Sequence, residues 1–540
     1  MHSRVRGALA CLALVAFLAS TAACFGTDDP VTSGDATPPL PGTDGSAALN
    51  DARTEPRDAA SSADATLAND AALGSDTSNT SDSAPAGDAG SDANVALSDA
   101  GDGGTDAGPT SVPAPTCFTT FGGTDADSIA GVTTNATSHT VAVYGSYYGT
   151  PDYGTGPLPV STSQAPKGFV AFFNETCTLQ SVAIVDDGVA RVRVDPSGNY
   201  WVLPRSSIPV TAQGPMEMYI RKYSSTGQLL ANRRVATATA PNWVGVRPVD
   251  FAIDTQGDLV IVGRYGNIVT FPGPNGPTIN GANLGYYRES QYFLVKYAGA
   301  TFNHLWNRKV VAYPPYQQPN APFGGGFAEI EPTSSDDFLL RGSFYNGGMT
   351  LGGGIPDCVV NEDRAFILRG AAVGGAAATA WGFSTLKDAY AGMSPAKDGV
   401  VAFAGKVLGS DKDFGQGTIP MNSGFVAALD ENTGTSVWSY AVDKKYFATG
   451  VGITPVANGT YVMTGVTTAK EAYFAHVTSA GMSAPVLIQP NGGNSLLPPS
   501  SAVTSGGQTA IVGTFNATLD YGAHTATSAG KTDVYLMMFP

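Results

Sequence analysis

Histidine is scarce in this chain, and the few histidines are too scattered to form a metal or catalytic cluster. After His2, the 540 residues contain only His139, His304, His476 and His524. None of these lies at the short spacing by which zinc sites hold neighbouring ligands. The sequence also lacks a Gly-x-Ser-x-Gly nucleophile turn and a Gly-x-x-x-x-Gly-Lys phosphate loop. We therefore expect no metal and no cofactor, and no motif identifies a catalytic residue.

Long hydrophobic runs are also missing, apart from one near the start. Residues 8–18 are apolar but too few to span a bilayer comfortably, and they follow Arg4 and Arg6. A positive start, a short apolar run and then small residues are typical of an export signal. We therefore assign residues 1–23 to a signal peptide.

The residues after this run resemble a lipoprotein signal. Ser20-Thr21-Ala22-Ala23-Cys24 is similar to a bacterial lipobox, whose cysteine is diacylated and becomes the new N-terminus, although Thr21 stands where leucine is usual. The resemblance implies lipidation of Cys24 and, because Phe25 rather than Asp follows, attachment to the outer membrane. The alternative is an ordinary signal peptide with Cys24 incidental and a secreted product.

Basic residues are rare after the signal, and most of the negative charge lies in one segment. The formal charge is -16, but residues 24–115 alone carry sixteen acids against Arg53 and Arg57. This segment is almost wholly Asp, Ala, Ser, Gly, Thr and Pro, which cannot bury enough apolar surface to offset the entropy of ordering. We predict a disordered acidic linker there, either a reach-extending tether or a tolerated spacer. The folded part carries only -4, so we expect no nucleic-acid partner.

From residue 116 to 540 the chain shows an all-β repeat. Short apolar runs are separated by Gly, Pro, Asn and Asp, without a sustained helical period. One strand motif, typically closing on glycine, recurs seven times, at residues 143–145, 202–204, 261–263, 340–342, 403–405, 463–465 and 511–513. An aromatic strand motif follows each one, at residues 168–170, 218–220, 292–294, 365–367, 424–426, 472–474 and 533–535. The two series predict a β-propeller with seven blades, with six or eight as the alternatives.

The last blade predicts how the ring closes. The third strand of this blade reaches the chain terminus, so no fourth strand follows it. Residues 118–123 form a strand that precedes the first blade and belongs to no blade there. We expect this N-terminal strand to complete blade seven, which removes the exposed sheet edges. That pairing would bring Cys117 near Cys177 as a candidate disulfide, with buried thiols as the alternative.

The pattern resembles the bacterial seven-bladed β-propeller repeats of secreted proteins. Asp195 to Trp201, Asp413-Phe414-Gly415 and Phe293-Leu294-Val295-Lys296 carry this resemblance. It implies a fold but no particular activity. The Asp-aromatic-Gly element recurs at residues 152–154 and 520–522, and recurrence favours a packing role for its aromatic residue. Asp125 and Asp127 could offer calcium oxygens, but the loop lacks the further acids that such a site requires.

Several tyrosines predict a binding face on one side of the ring. The loops between the second and third strands of each blade emerge on this side, and so do the connections from one blade to the next. Exposed tyrosines can stack on sugars or anchor a protein partner. The candidate residues are Tyr147, Tyr148, Tyr286, Tyr287, Arg288, Tyr313 and Tyr316. The simpler interpretation is that they cover blade edges.

Three functions follow as hypotheses. The first is a monomeric binding module at the cell envelope that recognises a protein or glycan and touches the membrane only through its lipid anchor. The second is a propeller hydrolase or lyase acting on envelope polysaccharide, and the third is a structural lipoprotein without a specific ligand. No set of acid, base and nucleophile stands out, which favours binding over catalysis.

Overall fold

Apolar runs of Val, Ile, Phe and Tyr form the strands of this chain, and Asp-, Asn- and Gly-bearing turns join them. The computed structural model describes residues 113–162, 167–205, 208–209, 216–239, 246–266, 268–273, 276–280, 291–313, 325–344, 348–350, 358–359, 364–370, 379–386, 389–447, 449–491 and 499–540. The predicted signal peptide, Cys24 and almost all of the predicted linker lie outside these ranges. Within them no helix is long and apolar enough to cross a membrane.

The strands form seven antiparallel four-stranded blades, whose strands we call a to d from the inside outward. Strand β1 (Cys117–Phe121) comes first. Blade 1 then contains β2 (Ser128–Asn135), β3 (Thr140–Tyr147), β4 (Lys167–Asn174) and β5 (Leu179–Asp186). Blade 2 contains β6 (Val189–Val194), β7 (Tyr200–Pro204), the short β8 (Ile208–Pro209), β9 (Met216–Tyr223) and β10 (Leu229–Thr239). Blade 3 contains β11 (Val246–Ile253), β12 (Leu259–Tyr265), the hairpin β13 (Ile268–Thr270) and β14 (Thr278–Asn280), β15 (Gln291–Tyr297) and β16 (His304–Tyr313).

The remaining blades follow the same order. Blade 4 contains β17 (Gly325–Pro332), β18 (Phe338–Phe344), the hairpin β19 (Gly348–Thr350) and β20 (Cys358–Val359), β21 (Arg364–Gly370) and β22 (Thr379–Leu386). Blade 5 contains β23 (Ala389–Met393), β24 (Val400–Lys406), the hairpin β25 (Lys412–Asp413) and β26 (Thr418–Ile419), β27 (Gly424–Asp430) and β28 (Ser436–Val442), followed by a 3-10 turn (Lys444–Tyr446). Blade 6 contains β29 (Thr449–Pro455), β30 (Tyr461–Val466), β31 (Ala472–Thr478), β32 (Gly481–Met482) and β33 (Val486–Asn491). Blade 7 contains β34 (Ser500–Val503), β35 (Thr509–Phe515), the hairpin β36 (Thr518–Tyr521) and β37 (His524–Thr527), and β38 (Asp533–Phe539).

The seven-bladed propeller predicted from the two motif series is confirmed. Each glycine-closing motif lies in a b strand and each aromatic motif in a c strand. The b and c strands are nearly continuous in burial because both of their faces pack against neighbouring blades; all seven residues of β38 are buried.

The N-terminal strand closes the ring, as predicted. Strand β1 pairs antiparallel with β38, with Cys117 opposite Met538 and Phe121 opposite Val534. Blade 7 therefore takes its d strand from the start of the propeller and its other three strands from the end. We call the junction between blades 7 and 1 the closing seam.

Aspartate side chains shape the turns between a and b strands. In the turn at Asp195, Oδ1 accepts hydrogen bonds from the backbone N–H groups of Ser197 at 3.0 Å and Asn199 at 2.9 Å, while Gly198 takes a φ of 78°. Asp254 does the same one blade later, accepting from the backbone N–H groups of Gln256 at 3.0 Å and Asp258 at 2.8 Å. These Asx turns explain the recurrence of aspartate before the b strand.

The b-to-c connections build a second layer around the ring. In blades 3, 4 and 7 this connection forms a hairpin that pairs with the d strand of the preceding blade. In blade 1 the corresponding segment pairs Asp152 with Gly122, just after β1. The outer edge of each preceding blade is thereby covered where these pairs form. The Asp-aromatic-Gly elements lie in these connections, and their aromatic residues Tyr153, Phe414 and Tyr521 are buried, which confirms the packing role.

Candidate functional site

Tyr147 does not belong to an exposed face, so that part of the prediction is wrong. It ends β3, is fully buried, and its hydroxyl donates to the Pro159 carbonyl at 3.0 Å. Its ring also meets Tyr153 and Phe169 edge-on or tilted. Every residue of β3 is buried because the strand is enclosed on both faces, so the side chain had no solvent-facing side to occupy.

The other predicted face residues fall into two groups. Tyr148 follows β3 and is half-buried, and Tyr313 is the last residue of β16. Tyr286, Tyr287, Arg288 and Tyr316 lie outside the described residues. The tyrosine face therefore remains a prediction for these positions.

Cys117 and Cys177 are joined by a disulfide, with their Cα atoms 5.9 Å apart. Cys117 starts β1, and Cys177 lies in the turn between the c and d strands of blade 1, where it adopts a φ of 57°. The bond therefore spans the closing seam and ties the borrowed strand of blade 7 to blade 1.

A serine, a histidine and a glutamate meet beside this disulfide, but they do not form a catalytic triad. Ser505 Oγ lies 2.8 Å from His139 Nδ1, and Glu175 Oε1 lies 3.4 Å from the same nitrogen. A triad requires the hydroxyl and the carboxylate on opposite ring nitrogens. The His139 side chain is also 63% exposed. This contact is a second link across the closing seam.

The central channel contains a buried ion network that the sequence analysis missed. Arg191 and Arg193 project from β6, the a strand of blade 2, and Glu329 and Glu331 from β17, the a strand of blade 4. Arg191 Nη2 lies 2.9 Å from both glutamates, and Arg193 Nη1 lies 2.7 Å from Glu331. Asp250 of blade 3 lies between them, at 3.3 Å from Arg191 and 3.4 Å from Arg193.

Alternation along the innermost strands produces this cluster. Residues two apart on a strand share a face, so Arg-Val-Arg in β6 and Glu-Ile-Glu in β17 each aim two charges at the channel. The a strands of neighbouring blades converge there, which brings residues 138 positions apart into contact. Arg341, on the b strand of blade 4, adds a third guanidinium 3.0 Å from Glu329.

The network is electrically balanced, with three guanidinium groups against three carboxylates. Burial raises the pKa of Glu329, but Arg341 and Arg191 outweigh this and leave it below its ordinary value. Burial dominates at Glu331 and raises its pKa despite Arg193 and Arg191. The nearby acids keep the pKa of Arg191 well above its ordinary value although burial alone would lower it.

The opposite side of the channel is uncharged. The a strands of blades 5, 6, 7 and 1 line it with small, apolar and hydroxyl side chains, including Met393, Ile453 and Ala502. Thr134 and Thr454 donate their hydroxyls to backbone carbonyls of blade 7. The channel cavity of 510 Å³ is therefore ionic on one side and weakly polar on the other, with its charges already paired.

A second cavity, which we call the wall cavity, lies on the outside of the ring between blades 2 and 3. It has a volume of 590 Å³, and its lining includes Tyr219, Asn232, Arg233, Phe302, Asn303 and His304. Strand β10 supplies the arginine side, the c-to-d turn of blade 3 supplies the aromatic side, and Pro272 of the blade 3 hairpin borders it. Asn232, Arg233 and Asn303 are exposed.

Phe302 is fixed in this cavity by its backbone and by stacking. It takes a φ of 58°, and its N–H donates to the Ala298 carbonyl at 2.7 Å. Its ring stacks on Tyr297 with centroids 4.3 Å apart and an interplanar angle of 3°, and on Trp201 at 6.2 Å. The ring is only partly buried, so the wall cavity includes an immobilised aromatic surface.

The charges of the wall cavity are not balanced. Arg234 pairs with Glu217 at 2.7 Å, while Arg233 has no ion-pair partner among the described residues. Burial lowers the pKa of His304, which keeps its ring neutral near pH 7. One uncompensated cation therefore remains.

Comparison with known proteins assigns this chain to no family. No family model and no curated protein matches the sequence. Among solved structures, the β-propeller domain of the Trilobed protease from Pyrococcus furiosus matches with 8% identity and a TM-score of 0.40 over 76% of this chain and 93% of that one. Virginiamycin B lyase from Staphylococcus aureus matches with 11% identity and a TM-score of 0.36 over 78% and 98%. BamB from Moraxella catarrhalis matches with 10% identity and a TM-score of 0.32 over 70% and 95%. The strand pairing of the structure itself makes the chain a seven-bladed β-propeller, and its function has to be argued from its own residues.

Proposed function

We propose that this chain is an exported, tethered binding module that recognises a protein or glycan at the cell envelope. The observation that carries this proposal is the contrast between the two cavities. The channel pairs its own charges, whereas the wall cavity presents to solvent exposed amides, part of a fixed aromatic ring and an arginine that has no ion-pair partner in the described part of the chain. A concave site with a few polar groups around an aromatic surface is the usual form of a ligand pocket.

The architecture suits such a role. The ring is closed by a borrowed strand and a disulfide, which holds loops from different blades in fixed positions. A rigid surface loses little conformational entropy on binding. The sequence of residues 24–115 adds a long acidic tether between this surface and a lipid anchor at Cys24.

A glycan array with the full chain tests the binding proposal. We expect specific signals that fall at least tenfold in an Arg233→Ala variant and persist in Arg205→Ala, because Arg205 is an exposed arginine that does not line the wall cavity. A parallel array of envelope proteins covers protein ligands. If neither array gives a signal that Arg233→Ala reduces, the wall cavity is not the binding site and the proposal fails.

Fractionation of producing cells tests the location. The wild-type chain should appear in the outer-membrane fraction and incorporate labelled palmitate, whereas Cys24→Ser should do neither. Recovery of the wild-type chain only from the culture medium, without label, would instead support the secreted alternative.

A polysaccharide hydrolase or lyase is the second candidate, and one observation favours it. Asp250, Glu329 and Glu331 are three carboxylates in one channel, and a raised pKa such as that of Glu331 is typical of a general acid. All three, however, are held by guanidinium groups. Release of sugar ends from envelope polysaccharide by the wild type, lost in Glu331→Gln at unchanged stability, would establish this activity.

A further inference from the structure

We infer that the wall cavity binds a sugar bearing a single carboxylate, a hexuronate unit of an acidic glycan. This inference rests on the proposed binding function and deepens it by naming the ligand class. Four features of the described residues carry it: the charge of the cavity, its hydrogen-bonding groups, its aromatic surface and the charge of the surrounding blades.

The charge of the cavity selects a monoanion. Arg234 is offset by Glu217, and Glu217 also accepts a hydrogen bond from the Tyr219 hydroxyl. With His304 neutral, Arg233 contributes the only net charge among the described residues that line the cavity. A planar guanidinium matches a carboxylate with two parallel hydrogen bonds. A phosphate, with nearly two charges, would leave part of its charge unmatched here.

The uncharged groups suit a sugar ring better than a peptide. Asn303 is an exposed amide, and an amide offers both a donor and an acceptor to vicinal hydroxyl groups. Phe302, the residue before it, adds a ring that Tyr297 holds in place. The exposed part of this ring offers an apolar contact for the C–H groups of a sugar, while the amide binds its hydroxyl groups.

The surrounding charge has the same sign as Arg233. Residues 201–310, which contain most of blades 2 and 3, include eleven Lys or Arg and only five Asp or Glu, although the propeller as a whole is acidic. A basic sector in an acidic protein raises the local concentration of an anionic chain and speeds its association.

Titration calorimetry of the full chain tests the inference with four probes: trigalacturonate, a hyaluronan tetrasaccharide, methyl-esterified trigalacturonate and penta-aspartate. We expect at least one of the two uronate probes to bind. The matching ester removes charge without changing the ring, so esterified trigalacturonate should bind at least tenfold more weakly than trigalacturonate if the latter is the ligand. Penta-aspartate should bind at least tenfold more weakly than the better uronate.

Variants locate the site. Arg233→Ala should weaken uronate binding at least tenfold, Arg233→Lys should restore part of it, and Arg205→Ala should leave it within twofold. Asn303→Ala should weaken it severalfold without changing its dependence on salt. Near-ultraviolet circular dichroism, which reports the packing of the aromatic core, should be the same for all four variants.

Several outcomes would overturn the inference. The inference fails if neither uronate probe binds, or if trigalacturonate and its methyl ester bind equally well. It also fails if penta-aspartate binds as well as the better uronate probe, or if Arg233→Ala binds that probe like the wild type. Neutral glycans that bind on the array and are lost in Arg233→Ala would leave the proposed function standing while rejecting the acidic ligand. An absence of any glycan or protein ligand would reject both.

Discussion

Asp127 and Asp533 place two buried carboxyl groups around one glycine at the closing seam. A methyl group added to Gly122 would clash with Asp533 Oδ1 and lie 2.9 Å from Asp127 Oδ2. Asp127 accepts hydrogen bonds from the Gly123 N–H and the Tyr153 hydroxyl, and Asp533 accepts one from the Ala529 N–H. Asp533 Oδ1 is buried and accepts none in the described structure. The pair comes from blades 1 and 7, so it lies across the junction that closes the ring.

This pair should make stability fall as the pH rises from about 4 to 7. Burial, with further repulsion from Asp533 and Asp125, raises the pKa of Asp127 from an ordinary 3.8 to about 7, although its hydrogen bonds from Tyr153 and Gly123 lower it. The folded state therefore keeps a proton that the unfolded state loses, and the free energy of unfolding falls by up to about 1.4 kcal/mol per pH unit across this window. The loss should be complete above pH 7. Urea unfolding at pH 4.5, 6 and 8 measures it.

The variant Asp127→Asn should remove this slope. Its amide oxygen can still accept from the Gly123 N–H and its NH2 group can donate to the Tyr153 hydroxyl oxygen at any pH, so at pH 8 it should be more stable than the wild type by up to about 3 to 4 kcal/mol. Near pH 4.5 the two should be similar. Asp125→Asn is the matched control, because the Asp125 side chain is 43% exposed and its pairing with Lys531 spans 3.8 Å. A wild-type slope that survives in Asp127→Asn would show that other groups cause it.

The disulfide at the same seam should stabilise the folded protein because it restricts the conformations of the unfolded chain. Cys117 and Cys177 are 60 residues apart, and closing a loop of that length in the unfolded state corresponds to about 4 kcal/mol in the chain-entropy treatment. Cys177→Ser should lower the free energy of unfolding by roughly 2 to 4 kcal/mol. A reducing agent should destabilise the wild type by a similar amount and leave Cys177→Ser unchanged. Equal sensitivity of both proteins to the reducing agent would contradict the assignment.

The blade order could be predicted because its strands are buried on both faces. Val143-Tyr144-Gly145 and Gly168-Phe169-Val170 lie in β3 and β4, and enclosed strands of this kind leave continuous apolar runs in the sequence. Closure was predictable for a related reason. The last blade lacked one strand, and residues 118–123 were the only unassigned strand at the other end.

The sites were harder to predict because they depend on side-chain direction and on contacts between blades. Tyr147 ends a strand that is enclosed on both faces, whereas Tyr148 lies just beyond that strand and is half-buried, so the doublet could not be exposed as a pair. The alternation of Arg191 with Arg193 was visible in the sequence, but the carboxylates that pair with these arginines lie on other blades. The wall cavity depends on the backbone of Phe302 and on the hairpin of blade 3, which no local pattern reveals.

Breaking the channel network on one side should destabilise the ring strongly. Glu331 is 2% exposed and contacts both Arg191 and Arg193, so Glu331→Ala leaves two partly buried guanidinium groups poorly compensated. We expect a loss of about 3 to 5 kcal/mol in the free energy of unfolding. Asp186→Ala is the control: its side chain is 65% exposed and pairs with Lys167, so its loss should be below about 1 kcal/mol. If urea unfolding gives comparable losses for Glu331→Ala and Asp186→Ala, the channel ion pairs contribute no more to stability than an exposed ion pair does.

Removing the buried aromatic residue of an Asp-aromatic-Gly element should lower the stability as much as removing a core residue does. Phe414 is such a residue, although it lies in a connection between strands. Its side chain is 3% exposed, and its ring lies 4.7 Å from Phe425 and 6.1 Å from Phe403, so the hairpin of β25 and β26 is fastened to blade 5. Phe414→Ala should lower the free energy of unfolding by about 3 to 5 kcal/mol, since it leaves a cavity against both rings. Met421→Ala, in the same connection but 48% exposed, should change it by no more than about 0.5 kcal/mol. Phe414→Leu should recover much of the loss because it refills most of the volume. A Phe414→Ala variant as stable as Met421→Ala would mean that the aromatic residue covers the blade without supporting it.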